Sequence, residues 1–176
     1  MPRDEIVLNP VNRITTDAIG PPGERIFYLQ ANTIEETISL IAEKFQIQSL
    51  SVGIEQFLIE IAERFPELSE ASPEYDQNLM RIHPPVDPLF RLADIGLGYN
   101  AEADMVILVV HELLPENAEE EPRIVRIWCT RSQLRALGNW GIEVANRGRP
   151  ICPQCGQPEE PEGHFCVKKN GGHRRN

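Results

Sequence analysis

The residues best suited to chemistry stand near the C-terminus. Cys152-Pro-Gln-Cys155 is followed by His164-Phe-Cys166, giving the pattern C-x2-C-x8-H-x-C. Two thiolates two residues apart can grip one ion from a tight turn, and Gly156 after the second allows the positive φ such a turn often uses. Residues i and i+2 of an extended segment point to the same side, so His164 and Cys166 can complete a tetrahedron. This donor set is a structural zinc site. Three thiolates and an imidazole leave no open position, and the charge they place on the ion makes it a poor Lewis acid. His173, reached across Gly171-Gly172, is the alternative to His164; His164 is preferred because it needs no further loop to close the site. A redox role for Cys152 and Cys155 fits less well, since that chemistry favours a Cys-x-x-Cys opening a helix after a strand. The remaining cysteine, Cys129, ends an apolar strand pattern and reads as buried filler.

Elsewhere the candidates are sparse. His83-Pro-Pro-Val-Asp87 and His111-Glu112 are the other places where a histidine stands near a carboxylate, and either pair could serve as a general base. If the protein is an enzyme, His83, Asp87, His111 and Glu112 mark its site. Gly96-Leu-Gly98-Tyr-Asn lacks the third glycine and the helix of a dinucleotide fingerprint, and there is no P-loop, Gly-x-Ser-x-Gly or His-Glu-x-x-His. Trp128 and Trp140 read as core.

The totals narrow the classes. The net charge of −10 is uneven: residues 147–176 hold six Lys/Arg and three Asp/Glu, whereas residues 1–146 hold eleven and twenty-four, a body near −13. Affinity for nucleic acid comes from Lys and Arg displacing counterions, so nucleic-acid binding by the body is disfavoured. The basic end (Lys168, Lys169, His173, Arg174, Arg175) could touch a phosphate or an acidic partner. No apolar run approaches the roughly 18 residues of a membrane span, and the N-terminus lacks a secretory h-region, so the expectation is a cytoplasmic protein without a membrane segment.

Apolar periodicity gives the elements that must position these residues. Short β-branched runs at 6–8, 13–19, 25–30 and 37–42 read as strands, with Gly20-Pro-Pro-Gly23 as a hairpin connection. Ile47, Leu50, Ile54, Phe57, Leu58 and Ile61 form one stripe of a helix over 46–64. Gly53 inside it suggests a close packing contact. Residues 66–88, with five prolines, read as a linker-like loop. Strands at 90–99, 105–111 and 124–129 precede a second helix at 132–146. Leu40–Leu50 aligns with Ile127–Leu137 at a constant offset, sharing Gln46/Gln133, Ile47/Leu134 and Leu50/Leu137. The expected fold is therefore α+β: antiparallel sheet with two packed helices, a pseudo-repeat of strands then helix, a body at 1–149 and a zinc-knuckle tail at 150–176.

Three segments resemble hallmarks of an uncharacterised bacterial family, the domain of unknown function 3090 (DUF3090). They are Gly148-Arg-Pro-Ile-Cys-Pro-Gln-Cys-Gly-Gln-Pro158 with Pro161-Glu-Gly-His-Phe-Cys166 and Asn170-Gly171, Gly20-Pro-Pro-Gly-Glu-Arg-Ile-Phe-Tyr-Leu-Gln30, and Gly96-Leu-Gly-Tyr99. In the family's pattern a proline follows the last cysteine, where this chain has Val167, and an aromatic commonly stands near His173; both favour His164 as ligand. The resemblance implies no established activity. Genes of the family often stand beside those of a histidine-phosphatase-like and a lipid-kinase-like protein, which implies a phosphate-related setting and partners of that kind. The reading from sequence is a non-catalytic binding or adaptor protein with a structural zinc. The alternatives are an enzyme acting on a phosphorylated metabolite, and nucleic-acid binding through the basic tail.

Overall fold

The computed structural model describes residues 5–21, 23–84 and 86–147. Seven strands and two helices occupy them: β1 (Glu5–Leu8), β2 (Arg13–Ile19), β3 (Ile26–Asn32), β4 (Thr37–Ala42), α1 (Lys44–Arg64), β5 (Pro88–Asn100), β6 (Met105–Glu112), β7 (Ile124–Cys129) and α2 (Arg131–Asn146). The strands form one mixed sheet in the order β1-β7-β6-β5-β4-β3-β2. The expected α+β class is observed, but the expected antiparallel sheet is not. β4 and β5 are parallel, as are β1 and β7. The reason is connectivity: α1 carries the chain from the end of β4 back to the start of β5, and such a crossover delivers a parallel neighbour. No helix among the described residues is long and apolar enough to cross a membrane.

The strand order ends on two consecutive strands. β1 and β2 lie at its two ends yet are consecutive in the chain, and the segment between them bonds to both flanks. Val11 N–H donates to Trp128 O at 3.0 Å, on β7, and Asn12 N–H donates to Asn32 O at 2.8 Å, on β3. β5 is bent in the same manner. Its first residues pair with β4 (Ser39 with Pro88, Ile41 with Arg91), and from Leu92, opposite Glu112, it pairs with β6, with an irregularity at Ala93 before the run from Asp94 with His111 to Asn100 with Met105. Thus β1 plus β2 corresponds to β5, β3 to β6, β4 to β7 and α1 to α2.

The matched glutamines enforce that correspondence. Gln133 Oε1 accepts from Thr130 N–H at 2.8 Å while Thr130 Oγ1 accepts from Gln133 N–H at 3.0 Å, a capping box that satisfies two otherwise orphaned donors of α2. The Gln133 amide then donates to Val11 O and Asn12 O, at the bend between β1 and β2. Gln46 does the same for α1: its Oε1 accepts from Glu43 N–H at 2.7 Å, and its amide donates to Leu92 O and Ala93 O, at the bend of β5.

Inward-facing strand residues (Phe27, Leu29, Leu40, Val106, Leu108, Val125, Ile127) and the apolar stripes of both helices make one core. The helices cross where each is small. A Cβ on Gly141 would lie 2.7 Å from Ser51 Oγ, and one on Gly138 would lie 3.2 Å from Ile54 Cγ2. At the 87-residue offset Ser51 is the counterpart of Gly138 and Ile54 of Gly141, so the two contacts are images of each other. Gly53 differs. No atom lies within 4 Å of where its Cβ would stand, so it makes no close packing contact, contrary to expectation. Trp140 is buried as expected, whereas Trp128 turns outward on β7 and is only partly buried, because inward positions of that strand fall to Val125, Ile127 and Cys129. Substituting Gly141→Val should cost about 1–3 kcal/mol by overpacking this crossing. Urea denaturation checks it; unchanged stability would mean that the crossing relaxes freely.

Candidate functional site

The proposed zinc ligands Cys152, Cys155, His164 and Cys166, and His173, lie outside the described residues. Among the described residues no cluster of three His, Cys, Asp or Glu side chains could hold a metal. Cys129 is buried, and burial pushes its thiol up to about 12, so it is neutral and inert near pH 7.

The other candidates separate. His111 and Glu112 are neighbours on β6 and therefore face opposite sides of the sheet. Glu112 turns inward and is buried. Its carboxylate accepts from Arg123 Nη2 at 2.7 Å, Arg123 Nε at 3.1 Å and Arg123 N–H at 3.0 Å. His111 turns outward, and its Nδ1 lies 2.8 Å from Asp94 Oδ1, a partner that the sequence reading did not single out. The signal for it is strand register, which places Asp94 and His111 directly across from each other. Asp87 is exposed, one residue before β5. His83 has an exposed side chain, but its backbone is bound in the first half of the sheet, away from His111.

That backbone belongs to a strap. Residues 66–84 leave α1 and run along α2: Arg131 donates to Ser69 O, Arg135 to Ala71 O, and Ser72 N–H to Ser132 Oγ. Tyr75 meets Trp140 edge-on, with centroids 6.0 Å apart. Trp140 itself fills the space between α2 and β2, its Nε1 donating to Thr16 O at 2.7 Å. The strap then turns onto the outer face of β2, β3 and β4. Arg13 donates to Leu79 O and Arg81 O, Thr15 Oγ1 to Met80 O, and Ile82 N–H to Asp17 Oδ2. Gln30 receives His83 N–H at 3.0 Å and donates to Ser39 Oγ. Thr15, Gln30 and Ser39 are buried polar side chains: the strap satisfies Thr15 and Gln30, and Gln30 satisfies Ser39.

The matching face of the second half is open among the described residues. Register sets Gly96 beside Val109 and Arg126, and Gly98 beside Ile107 and Trp128. These rows correspond to Thr15-Gln30-Ser39 and Asp17-Tyr28-Ile41. No atom stands within 4 Å of a Cβ on either glycine. Below this face, a cleft of about 220 Å³ separates α1 from β5, lined by Gln46, Ser49, Leu50 and Gly53 on one side and by Ala93, Ile95 and Leu97 among others on the second. At the 87-residue offset Gly53 is the counterpart of Trp140. The cleft is the space that the indole fills in the other half.

One further polar cluster pins the helix start. Asp104, with φ of 51°, lies in the β5–β6 turn; it accepts from Arg131 Nε at 2.7 Å and Nη2 at 3.0 Å and from Tyr99 Oη at 2.7 Å. Hydrogen bonds from Arg131 hold its carboxyl below the ordinary range, with burial opposing and Tyr99 adding. Burial, then the bond to Asp104, pushes the Tyr99 phenol up.

Fold and face together define a two-helix α+β protein with a mixed seven-stranded sheet, one half of whose outer face is uncovered among the described residues. The chain belongs to the family described as "Protein of unknown function (DUF3090)", whose profile matches residues 6–166. No curated protein and no solved structure matches it significantly.

Two outcomes follow for the charged residues. Glu112→Ala should cost about 2–4 kcal/mol, since it removes three charge-assisted hydrogen bonds from Arg123 at a buried position, whereas His111→Ala should stay within about 0.5 kcal/mol; equal losses in denaturant titration would contradict the placement. A depressed carboxyl contributes stability that is present above the unfolded pKa and lost as pH falls through the folded one. Asp104→Asn should therefore be less stable than wild type near neutral pH, with the gap narrowing in acid below the ordinary carboxylate range. Thermal melts across pH check this; a gap that widens in acid would refute it.

Proposed function

We propose that this is a non-catalytic binding or adaptor protein whose C-terminal segment is shaped by one structural zinc, held by Cys152, Cys155, His164 and Cys166, with His173 as the alternative to His164. The observation that carries the first part is the separation of the acid–base candidates. His111 and Glu112 face opposite sides, Glu112 is committed to Arg123, and His83 lies over the other half of the sheet. The spacing of the cysteines supports the second part, and the family match extends through Cys166. In such a site the thiolates and imidazole bind and orient the segment, and the metal supplies cross-linking rather than Lewis acidity. The partner is a cytoplasmic protein, and the basic run Lys168 to Arg175 suits an acidic surface on it.

The His111–Asp94 pair favours a second reading, an enzyme acting on a phosphorylated metabolite, with imidazole and carboxylate set for proton transfer at 2.8 Å on an accessible face.

Metal analysis and turnover assays separate the two. Purified protein should hold about one zinc per chain, lost in Cys152→Ser together with the fold of the tail. It should leave phosphate esters and nucleotides intact. Hydrolysis abolished by His111→Ala would replace the adaptor reading with the enzymatic one, and protein purified without zinc that takes up none would remove the metal.

A further inference from the structure

We infer that the cleft between α1 and β5 is a binding site for a small, flat, uncharged aromatic molecule of indole size, seated against Gly53 with its N–H donated to the carbonyl of Leu97. The inference stands on the helices and the sheet alone and needs neither the zinc nor the adaptor role.

The first half shows what fills this space. Trp140 comes seven residues after the capping residue Gln133, and Gly53 comes seven residues after Gln46, so the two hold one position on matching helices. The Trp140 indole lies between α2 and β2 and donates its Nε1–H to Thr16 O at 2.7 Å. Strand register gives the counterparts on β5. Thr16 stands opposite Leu29 on β3 as Leu97 stands opposite Leu108 on β6, and Ile14 matches Ile95 in the same way. Both Ile95 and Leu97 line the cleft. A carbonyl oxygen has two lone pairs and a sheet ladder uses one at most, so Leu97 O keeps room for a second donor, as Thr16 O does.

Exposure records the missing cover. In the first half Ile14 is 2% exposed and Thr16 0%. Their counterparts Ile95 and Leu97 pack against the same core yet are only partly buried. On the helix side Ala136 is buried, whereas Ser49, at the matching position of α1, is exposed. Among the described residues no atom lies within 4 Å of where a Cβ on Gly53 would stand.

Size and polarity select the ligand. An apolar cavity of about 150 Å³ takes a benzene ring. This cleft, at about 220 Å³, has room for a second fused ring. Leu50 on α1 and Ile95 and Leu97 on β5 offer apolar walls to the two faces of a flat molecule, and removing those surfaces from water drives its entry. Asp94 is the one charged residue of the lining, in a body near −13, so an arene bearing a carboxylate is disfavoured.

The test is titration of the full chain with fluoroindole, followed by fluorine NMR, with nuclear Overhauser contacts to place the ring. One molecule per chain should bind saturably, its ring protons in contact with the methyls of Ile95 and Leu97. Gly53→Trp fills the cleft with the counterpart of Trp140 and should weaken binding roughly tenfold or more, with stability in urea no lower than wild type. Gly53→Leu should also weaken it and serves if the tryptophan variant does not fold, whereas Gly53→Ala leaves most of the space and should bind as wild type does. Indole acetate should bind several-fold more weakly than indole. Absence of saturable binding, contacts to other residues, or an affinity indifferent to both Gly53→Trp and Gly53→Leu would overturn the inference. Equal binding of indole acetate would overturn the uncharged class. Tighter binding of N-acetyltryptophanamide than of indole would overturn it in favour of a tryptophan side chain on a partner protein.

Discussion

The fold depends on the close approach of two helices, where Ile54 meets Gly138 and Ser51 meets Gly141. Neither contact tolerates an added side chain without movement, so the crossing fixes the distance between the halves. Because each contact is the image of the other, the crossing also fixes their relation. Everything else hangs from α1 and α2. Gln46 and Gln133 cap the helices and, with the same side chains, tie the bends of β5 and of β1–β2. Strand order and parallel pairs follow from where those bends are held.

The halves are alike in skeleton and unlike in what they present. Trp140 fills one helix–strand gap, and Gly53 leaves the other open. Thr15 and Gln30 meet a strap with hydrogen bonds and Gln30 also bonds Ser39, whereas Gly96, Val109 and Arg126 present a surface with two small or apolar residues of three. Buried polar groups commit a surface to one partner, since an unmet donor or acceptor costs about 1–3 kcal/mol. An apolar face carries no such commitment and accepts any partner of matching shape. The first half is therefore covered by its own chain, whereas the matching face of the second is open among the described residues.

The charged residues divide along the same line. Glu112 with Arg123, and Asp104 with Arg131 and Tyr99, are tied into the frame. Asp94 and His111 stand on the open face, and the side chain of Asp94 is 71% exposed. Exposed pairs of this type contribute little to stability, about 0–1 kcal/mol. The pair therefore adds little to the scaffold.

The sequence by itself determined the elements and the repeat. Apolar alternation marked the strands and the 3.6-residue stripe marked both helices, because those periods are set by backbone geometry alone. The Gln46/Gln133 match was legible since capping is local chemistry. Only the tertiary structure decided that the sheet is mixed, because parallel pairing depends on where a helix returns the chain. It decided that His111 belongs with Asp94 and Glu112 with Arg123, since register and facing choose partners that are distant in sequence. It decided that Gly53 leaves a gap instead of a contact, because an absent side chain is read only by what stands across from it.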